Sequence, residues 1–229
     1  MTYQEYIVKQ IENIKAGVPI YTAELAELLA RAYGLDIKKA TAATSVAMKR
    51  IVDGNALGNL RFYQKGIYYI TLKTPFGEMS INKEMLIQHK YMKPDIGYET
   101  GYTLLHRLGL TTQMATERVL ATNKATDCIR EDKALGIFVK PPKTEITATN
   151  KRYLQLLDAI ELMDKAPIDE ADPYTLLARH MEKEDIRFDT LLALADEYYG
   201  KHTIIRIAHI ATAARYLKET YYSSTWTKE

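Results

Sequence analysis

Ile37-Lys38-Lys39-Ala40-Thr41-Ala42-Ala43-Thr44-Ser45-Val46-Ala47-Met48-Lys49-Arg50-Ile51-Val52-Asp53-Gly54 is the stretch on which the fold of the N-terminal part turns. Small or apolar side chains recur at Ala40, Ala43 or Thr44, Ala47 and Ile51, the spacing of one helical face. Gly54 then supplies a C-terminal stop. At about 100° per residue, Lys38, Thr41, Ser45 and Lys49 fall together on the opposite side, with Ala42 among them. Lys39 and Arg50 add charge near either end. Val46 and Met48 lie at the flanks, and the sequence assigns neither to a side. A narrow inward stripe lets such a helix pack closely. Short outward side chains between lysines suit the floor of a major groove, where Ser and Thr hydrogen-bond base edges or phosphates and Lys neutralises phosphate.

The flanking sequence gives this helix its context. Before it, Tyr3, Ile7, Ile11 and Ile14 form one amphipathic face that ends at Ala16-Gly17-Val18-Pro19. Thr22 offers an N-cap hydroxyl to a second helix with a stripe of Leu25, Leu28 and Leu29, stopped by Gly34. After it, Leu60-Arg61-Phe62-Tyr63 and Ile67-Tyr68-Tyr69-Ile70 read as strands joined by a three-residue loop, Gln64-Lys65-Gly66, with glycine where positive φ is needed. Three helices followed by a hairpin is the order of a winged helix-turn-helix, predicted here over residues 1–74. The third helix would enter the major groove, and the hairpin would follow the backbone. The expected DNA-contacting set is Lys38, Lys39, Thr41, Ala42, Ser45, Lys49 and Arg50 from the helix, with Arg61, Tyr63 and Lys65 from the wing. A winged helix that binds protein is the competing reading.

Charge distribution agrees with the polyanion reading. Up to Lys73 there are ten Lys and Arg against six Asp and Glu, whereas the remainder carries 21 against 23. The basic front would meet the polyanion.

Residues 75–229 are expected to form a second domain, giving a chain of α+β class that is predominantly α. Phe76 to Tyr91 reads as a loop with a short helix carrying Met85, Leu86 and Ile87, and Pro94-Asp95-Ile96-Gly97 as a turn. Tyr98 to Leu110 has helical apolar spacing closed by Gly109. Val119-Leu120-Ala121-Thr122-Asn123 and Gly136-Ile137-Phe138-Val139-Lys140 read as strands that pair in a small sheet within about residues 95–145. From Asn150 to about residue 222 the chain reads as a helical layer. Its stripes are Tyr153, Leu156, Leu157, Ile160 and Met163, then Leu176, Leu177 and His180, then Leu191, Leu192, Leu194, Ala195 and Tyr198, and last Ile204, Ile207, Ile210, Ala211 and Ala214. Asp172-Pro173 suits an N-cap followed by proline at the first helical position. Ser223 to Glu229 is expected to fray.

Three segments, taken in order, resemble the AbiEi-type antitoxins, the antitoxin and repressor halves of type IV toxin–antitoxin pairs in abortive infection. They are the N-terminal winged helix with its hairpin Gln64-Lys65-Gly66-Ile67-Tyr68-Tyr69, the helix ending Leu108-Gly109-Leu110-Thr111-Thr112-Gln113, and the following strand ending Thr122-Asn123. The resemblance spans about residues 1–145 and leaves the helical tail outside it. It implies a transcriptional repressor that binds inverted repeats in its own promoter. It also implies a partner gene for a nucleotidyltransferase-like toxin, countered without a stable complex.

Signatures of other chemistry are missing from the sequence. His89, His106, His180, His202 and His209 form no His-x3-His or HExxH pattern, and there is no GxGxxG, GxxxxGK[ST] or GxSxG. Carboxylates such as Asp169, Glu170, Asp172, Glu182, Glu184 and Asp185 gather at helix ends and loops, where capping and solvation explain them. Cys128 is the single cysteine and reads as an inert buried thiol, which excludes an intramolecular disulfide and points to a reducing cytoplasm. No apolar run approaches membrane-spanning length, and Met1-Thr2-Tyr3-Gln4-Glu5 has no secretory signature. The tyrosine pairs Tyr68-Tyr69, Tyr198-Tyr199 and Tyr221-Tyr222 read as packing. The chain is therefore expected to be a non-enzymatic DNA-binding repressor and antitoxin without cofactor or metal, acting as a dimer or as paired monomers on DNA. The alternative is an interaction module whose winged helix and helical tail bind a partner protein.

Overall fold

A computed structural model describes residues 1–225. The chain is α+β, predominantly α, and divides into two compact units, Met1–Ile87 and a second from Gln88 onward.

In the first unit, α1 (Tyr3–Glu12) opens with a capping box: the Thr2 hydroxyl accepts from the Glu5 N–H at 3.2 Å, and the Glu5 carboxylate accepts from the Thr2 N–H at 3.0 Å. Ile7 and Ile11 are fully buried. A three-residue strand β1 (Pro19–Tyr21), unforeseen in the sequence, leads into α2 (Thr22–Tyr33), which ends at Gly34 in the left-handed region. Asp36 caps α3 (Ile37–Asp53) by accepting from the Lys38 N–H. Strands β2 (Leu60–Gln64) and β3 (Ile67–Ile70) follow, and β1 pairs antiparallel with β3, giving the sheet order β1-β3-β2.

The hydroxyl of Thr22 does not cap α2. It donates to the Gly66 carbonyl at 3.3 Å, and the Thr22 N–H donates to the same oxygen at 2.9 Å, so the start of α2 holds the hairpin. The loop is two residues, Lys65-Gly66, because Gln64 already pairs with Ile67. Tyr63 is the extra residue of a bulge. Gly66 has φ +80°, a conformation costly for any side chain with a Cβ.

Leu28, expected to be buried, is exposed, and its place inside is taken by Ala26 beside Leu25 and Leu29. Ile7, Ile11, Ile20, Leu25, Met48, Ile51, Leu60 and Ile70 share one core. The unit also continues past the expected boundary at residue 74. A small hairpin of β4 (Lys73–Thr74) and β5 (Gly77–Glu78) and helix α4 (Lys83–Ile87) belong to it. The Asn82 N–H donates to the Gly17 carbonyl at 2.8 Å, and the Thr71 hydroxyl to the Met79 carbonyl at 2.8 Å, which ties this segment back to the three-helix body.

The second unit begins with a π-helical turn (Gln88–Met92) and contains β6 (Gly97–Thr100), α5 (Tyr102–Arg107), β7 (Val119–Thr122), β8 (Arg130–Asp132) and β9 (Ile137–Lys140). Tyr98 to Leu110 is therefore not one helix. Its first residues form β6, which is buried along its whole length, and Gly101 at φ +76° breaks the chain direction before α5. The expected strands do pair, β7 with β9 in parallel, inside a four-stranded sheet ordered β6-β7-β9-β8. Packed with β6 is α6 (Lys151–Leu162), followed by α7 (Pro173–Lys183), α8 (Phe188–Tyr198) and α9 (Lys201–Thr225). Asp172 caps α7 through the Thr175 N–H, as its sequence suggests. Leu154, Leu157, Ile160, Leu177, Leu191 and Ile210 are completely buried in one cluster, each contributing roughly 1.5–3 kcal/mol of apolar transfer. Leu192 of the expected third stripe is exposed. Of the tail expected to fray, residues 226–229 lie outside the described residues, as do the side chains of Tyr221 and Tyr222.

A buried polar cluster ties the helical layer to the sheet. Asp158, almost fully enclosed, accepts from Lys140 Nζ at 2.9 Å, the Thr100 hydroxyl at 2.8 Å and the Tyr199 hydroxyl at 2.8 Å. Burial, reinforced by the Asp158 charge, pushes the Tyr199 phenol far above its usual range, so it remains a donor.

Candidate nucleic-acid interface

Helix α3 buries Ala40, Thr44, Ala47, Met48 and Ile51, half-buries Ala43 and Val52 beside them, and exposes its other residues. Met48 thus belongs to the core at 0% exposure, while Val46 is 51% exposed on the outer face. Lys38, Lys39, Thr41, Ala42, Ser45, Lys49 and Arg50 are all exposed, so the structure brings together the whole helical part of the expected set. Lys38, Lys39, Lys49 and Arg50 form no ion pair among the described residues.

The Thr41 hydroxyl donates to the Ile37 carbonyl at 2.8 Å and the Ser45 hydroxyl to the Thr41 carbonyl at 2.9 Å. Both side chains are folded back on the helix with acceptor lone pairs facing out. Together with Ala42 they make a low floor between longer basic side chains, so a partner can approach the backbone of α3 closely. Val46 adds a methyl surface of the kind that meets a thymine methyl. Sequence periodicity leaves Val46 unassigned because valine fits either side of a helix. A shallow depression of about 550 Å³ next to it is lined by Thr2, Gln4, Ala42, Val46 and Arg50, so the start of α1 borders the same face.

Of the three hairpin residues in the expected set, one is exposed and two are half-buried. Lys65 is exposed at the tip and forms no ion pair among the described residues. Arg61 is clasped by Glu78: its Nη2 donates to Oε1 at 3.0 Å and its Nε to Oε2 at 3.4 Å, while Nη1 donates to the Gly58 carbonyl at 3.0 Å. Its charge is thereby neutralised from β5, a segment beyond the domain boundary expected at residue 74. Tyr63 is half-buried at the bulge, and its neighbour Phe62 is the exposed ring, edge-on to Tyr68 at 5.5 Å between centroids.

Elsewhere, Cys128 is exposed rather than buried, because the loop between β7 and β8 runs over the surface. Asp169 accepts from the Thr112 N–H at 2.8 Å and from the hydroxyls of Thr112 and Thr111, a loop clamp that holds its carboxyl below the usual range. His209 packs on Tyr174. Among the described residues no group of three or more His, Cys, Asp or Glu is positioned to hold a metal ion, and no helix is long and apolar enough to cross a membrane. No protein-family model and no curated protein matches this sequence.

Proposed function

We propose that the first unit is a winged helix-turn-helix and that this chain binds double-stranded DNA as a transcriptional repressor of its own operon, with α3 in the major groove. The observation that carries this reading is the outer face of α3, where four cations outside any ion pair among the described residues surround a floor of Ala42, Ser45 and Val46. Lysine and arginine without acid partners give affinity through counterion release, and short side chains allow base edges to be read. The antiparallel β1-β3-β2 sheet, with Lys65 at its exposed tip, supports a backbone contact from the wing.

The resemblance to AbiEi-type antitoxins extends the proposal. The chain acts as the antitoxin of a type IV pair in the cytoplasm, binds inverted repeats in its promoter, and counters a nucleotidyltransferase-like toxin without a stable complex. It carries out no catalysis itself. Pairing on the two half-sites, as a dimer or as two monomers, follows the symmetry of such operators.

The test is titration of the full chain against a labelled duplex from upstream of its own gene, at several salt concentrations, beside a scrambled duplex. Preference for the native duplex with a steep salt dependence is the expected outcome. Lys49→Ala and Lys65→Ala should each flatten the slope of log K against log salt by about 0.9, the share of one neutralised phosphate. Equal weak binding to both duplexes, or slopes unchanged in both variants, overturns the assignment.

A second reading rests on a different observation. Phe76 is 100% exposed at the turn of the β4–β5 hairpin, and Leu72 and Met79 are exposed in the same segment. An apolar tip of this kind suits a protein partner. Co-purification with a neighbouring gene product, together with no salt-sensitive DNA affinity, would favour it.

A further inference from the structure

The second unit contains a cleft of about 640 Å³ between α5, α6 and α7 that the DNA-binding reading does not use. Arg107 of α5, Arg152 of α6, and Arg179 and Lys183 of α7 all line it, and Glu184 is the carboxylate among the lining residues. Two of these cations are held in place by the fold. Arg107 Nη1 donates to Glu99 at 2.7 Å, and Arg152 Nη1 donates to the Glu184 carbonyl at 2.8 Å, which fixes its direction without neutralising it. Glu99 is largely buried and also takes Arg118 at 2.8 Å, so Arg107 shares this carboxylate with a second guanidinium group. Arg179 and Lys183 form no ion pair among the described residues, and they lie four residues apart on one face of α7.

The half-buried ring of His180 lines the same cleft. Burial lowers its ionisation below the usual imidazole range, and Lys183 and Arg107 lower it further while Glu184 opposes them. The floor is apolar, made by Leu104, Leu108, Leu156 and Ile186. A neighbouring cavity of about 820 Å³ between α7, α8 and α9 is larger, but its lining mixes signs and its Arg187 is paired with Asp189.

We infer that the α5–α6–α7 cleft binds an organic phosphate, with the phosphate held by Arg107, Arg152, Arg179 and Lys183 and an attached ring resting on the leucine floor, as in a ribonucleotide. Guanidinium groups match phosphate oxygens in bidentate fashion, and pre-oriented ones bind with little loss of side-chain freedom. The volume lies within the range of small-ligand sites, which combine an apolar lining with a few converging polar groups. This inference stands on the second unit alone and does not depend on DNA binding by the first.

Calorimetric titration of the full chain with each of the four ribonucleoside 5′-monophosphates tests it, with the matching nucleosides and inorganic phosphate as comparisons. At least one monophosphate should bind more tightly than both its nucleoside and inorganic phosphate. Arg179→Ala and Lys183→Ala, both at exposed positions of α7 that leave the core intact, should each weaken that binding about tenfold or more. Lys133→Ala, at an exposed lysine between β8 and β9, should leave it unchanged. Failure of all four monophosphates, affinity equal to that of the nucleoside, or full affinity in both α7 variants overturns the inference. Binding of an oligonucleotide where every monophosphate fails also overturns it, since the cleft would then follow a polymer backbone.

Discussion

Thr44 and Val46 lie two residues apart on α3 and illustrate how burial decides a side chain's role. Thr44 is fully buried, and its hydroxyl has no hydrogen-bond partner among the described residues. A buried hydroxyl without a partner costs about 1–3 kcal/mol relative to a hydrated one. Thr44→Val replaces it with a methyl group of the same shape and should raise the free energy of unfolding by about 1 kcal/mol, read as a higher urea midpoint at unchanged slope. Because Thr44 faces the core, the same variant should bind operator DNA with unchanged salt dependence. A fall in stability would mean that the hydroxyl has a partner in solution. The outward set Lys38, Lys39, Thr41, Ala42, Ser45, Lys49 and Arg50 was legible because helical periodicity alone separates two faces. The pairing of Arg61 was not, since its partner Glu78 sits 17 residues away and nothing local signals the contact.

Short elements were the hardest to read, for a common physical reason. β1 has three residues and β8 has three, too few for period-two alternation to appear. β6 is buried on both faces, so it lacks alternation altogether, and the chance spacing of Tyr98, Tyr102 and Leu105 imitates a helix. Long helices announced themselves because their stripes repeat over several turns.

The strand β8 is nevertheless fixed by chemistry. Its Asp132 accepts from Lys90 Nζ and from the Tyr91 hydroxyl, both at 2.8 Å, and from the Leu135 N–H at 3.2 Å. Burial pushes the Asp132 carboxyl up, but these hydrogen bonds outweigh it and leave its ionisation below the usual aspartate range. A depressed carboxylate stabilises the fold fully above its unfolded value of about 3.9, and that contribution disappears as pH falls through the folded value. Asp132→Asn should therefore cost about 1–2 kcal/mol at pH 7, and the gap from the parent protein should close as the pH drops below about 4. Urea melts of both proteins across that window provide the check, and a gap independent of pH would rule out the ionised carboxylate as its source.

The two units have separate cores, one around Ile7, Met48 and Ile51 and the other around Leu154, Leu157 and Ile210. The first unit holds the basic front of the chain, the exposed face of α3 and the hairpin tip. At Met1–Ile87 it exceeds the roughly 55–65 residues at which many single domains fold alone. The expected boundary at 74 would have cut away Glu78, the partner of Arg61, and Asn82, whose N–H reaches Gly17. A fragment ending at residue 87 should therefore unfold in one cooperative urea transition, whereas one ending at 74 should be less stable. If α3 and the wing supply all the phosphate contacts, the 1–87 fragment should bind the operator duplex with the same salt slope as the full chain. Its affinity should differ only by whatever pairing on the two half-sites the second unit contributes. A slope smaller than that of the full chain would move phosphate contacts into the second unit, where the Arg107, Arg152, Arg179 and Lys183 cleft has the charge to make them. In that case Lys183→Ala in the full chain should reduce the slope by about 0.9, which separates a DNA track from a site for a small phosphate.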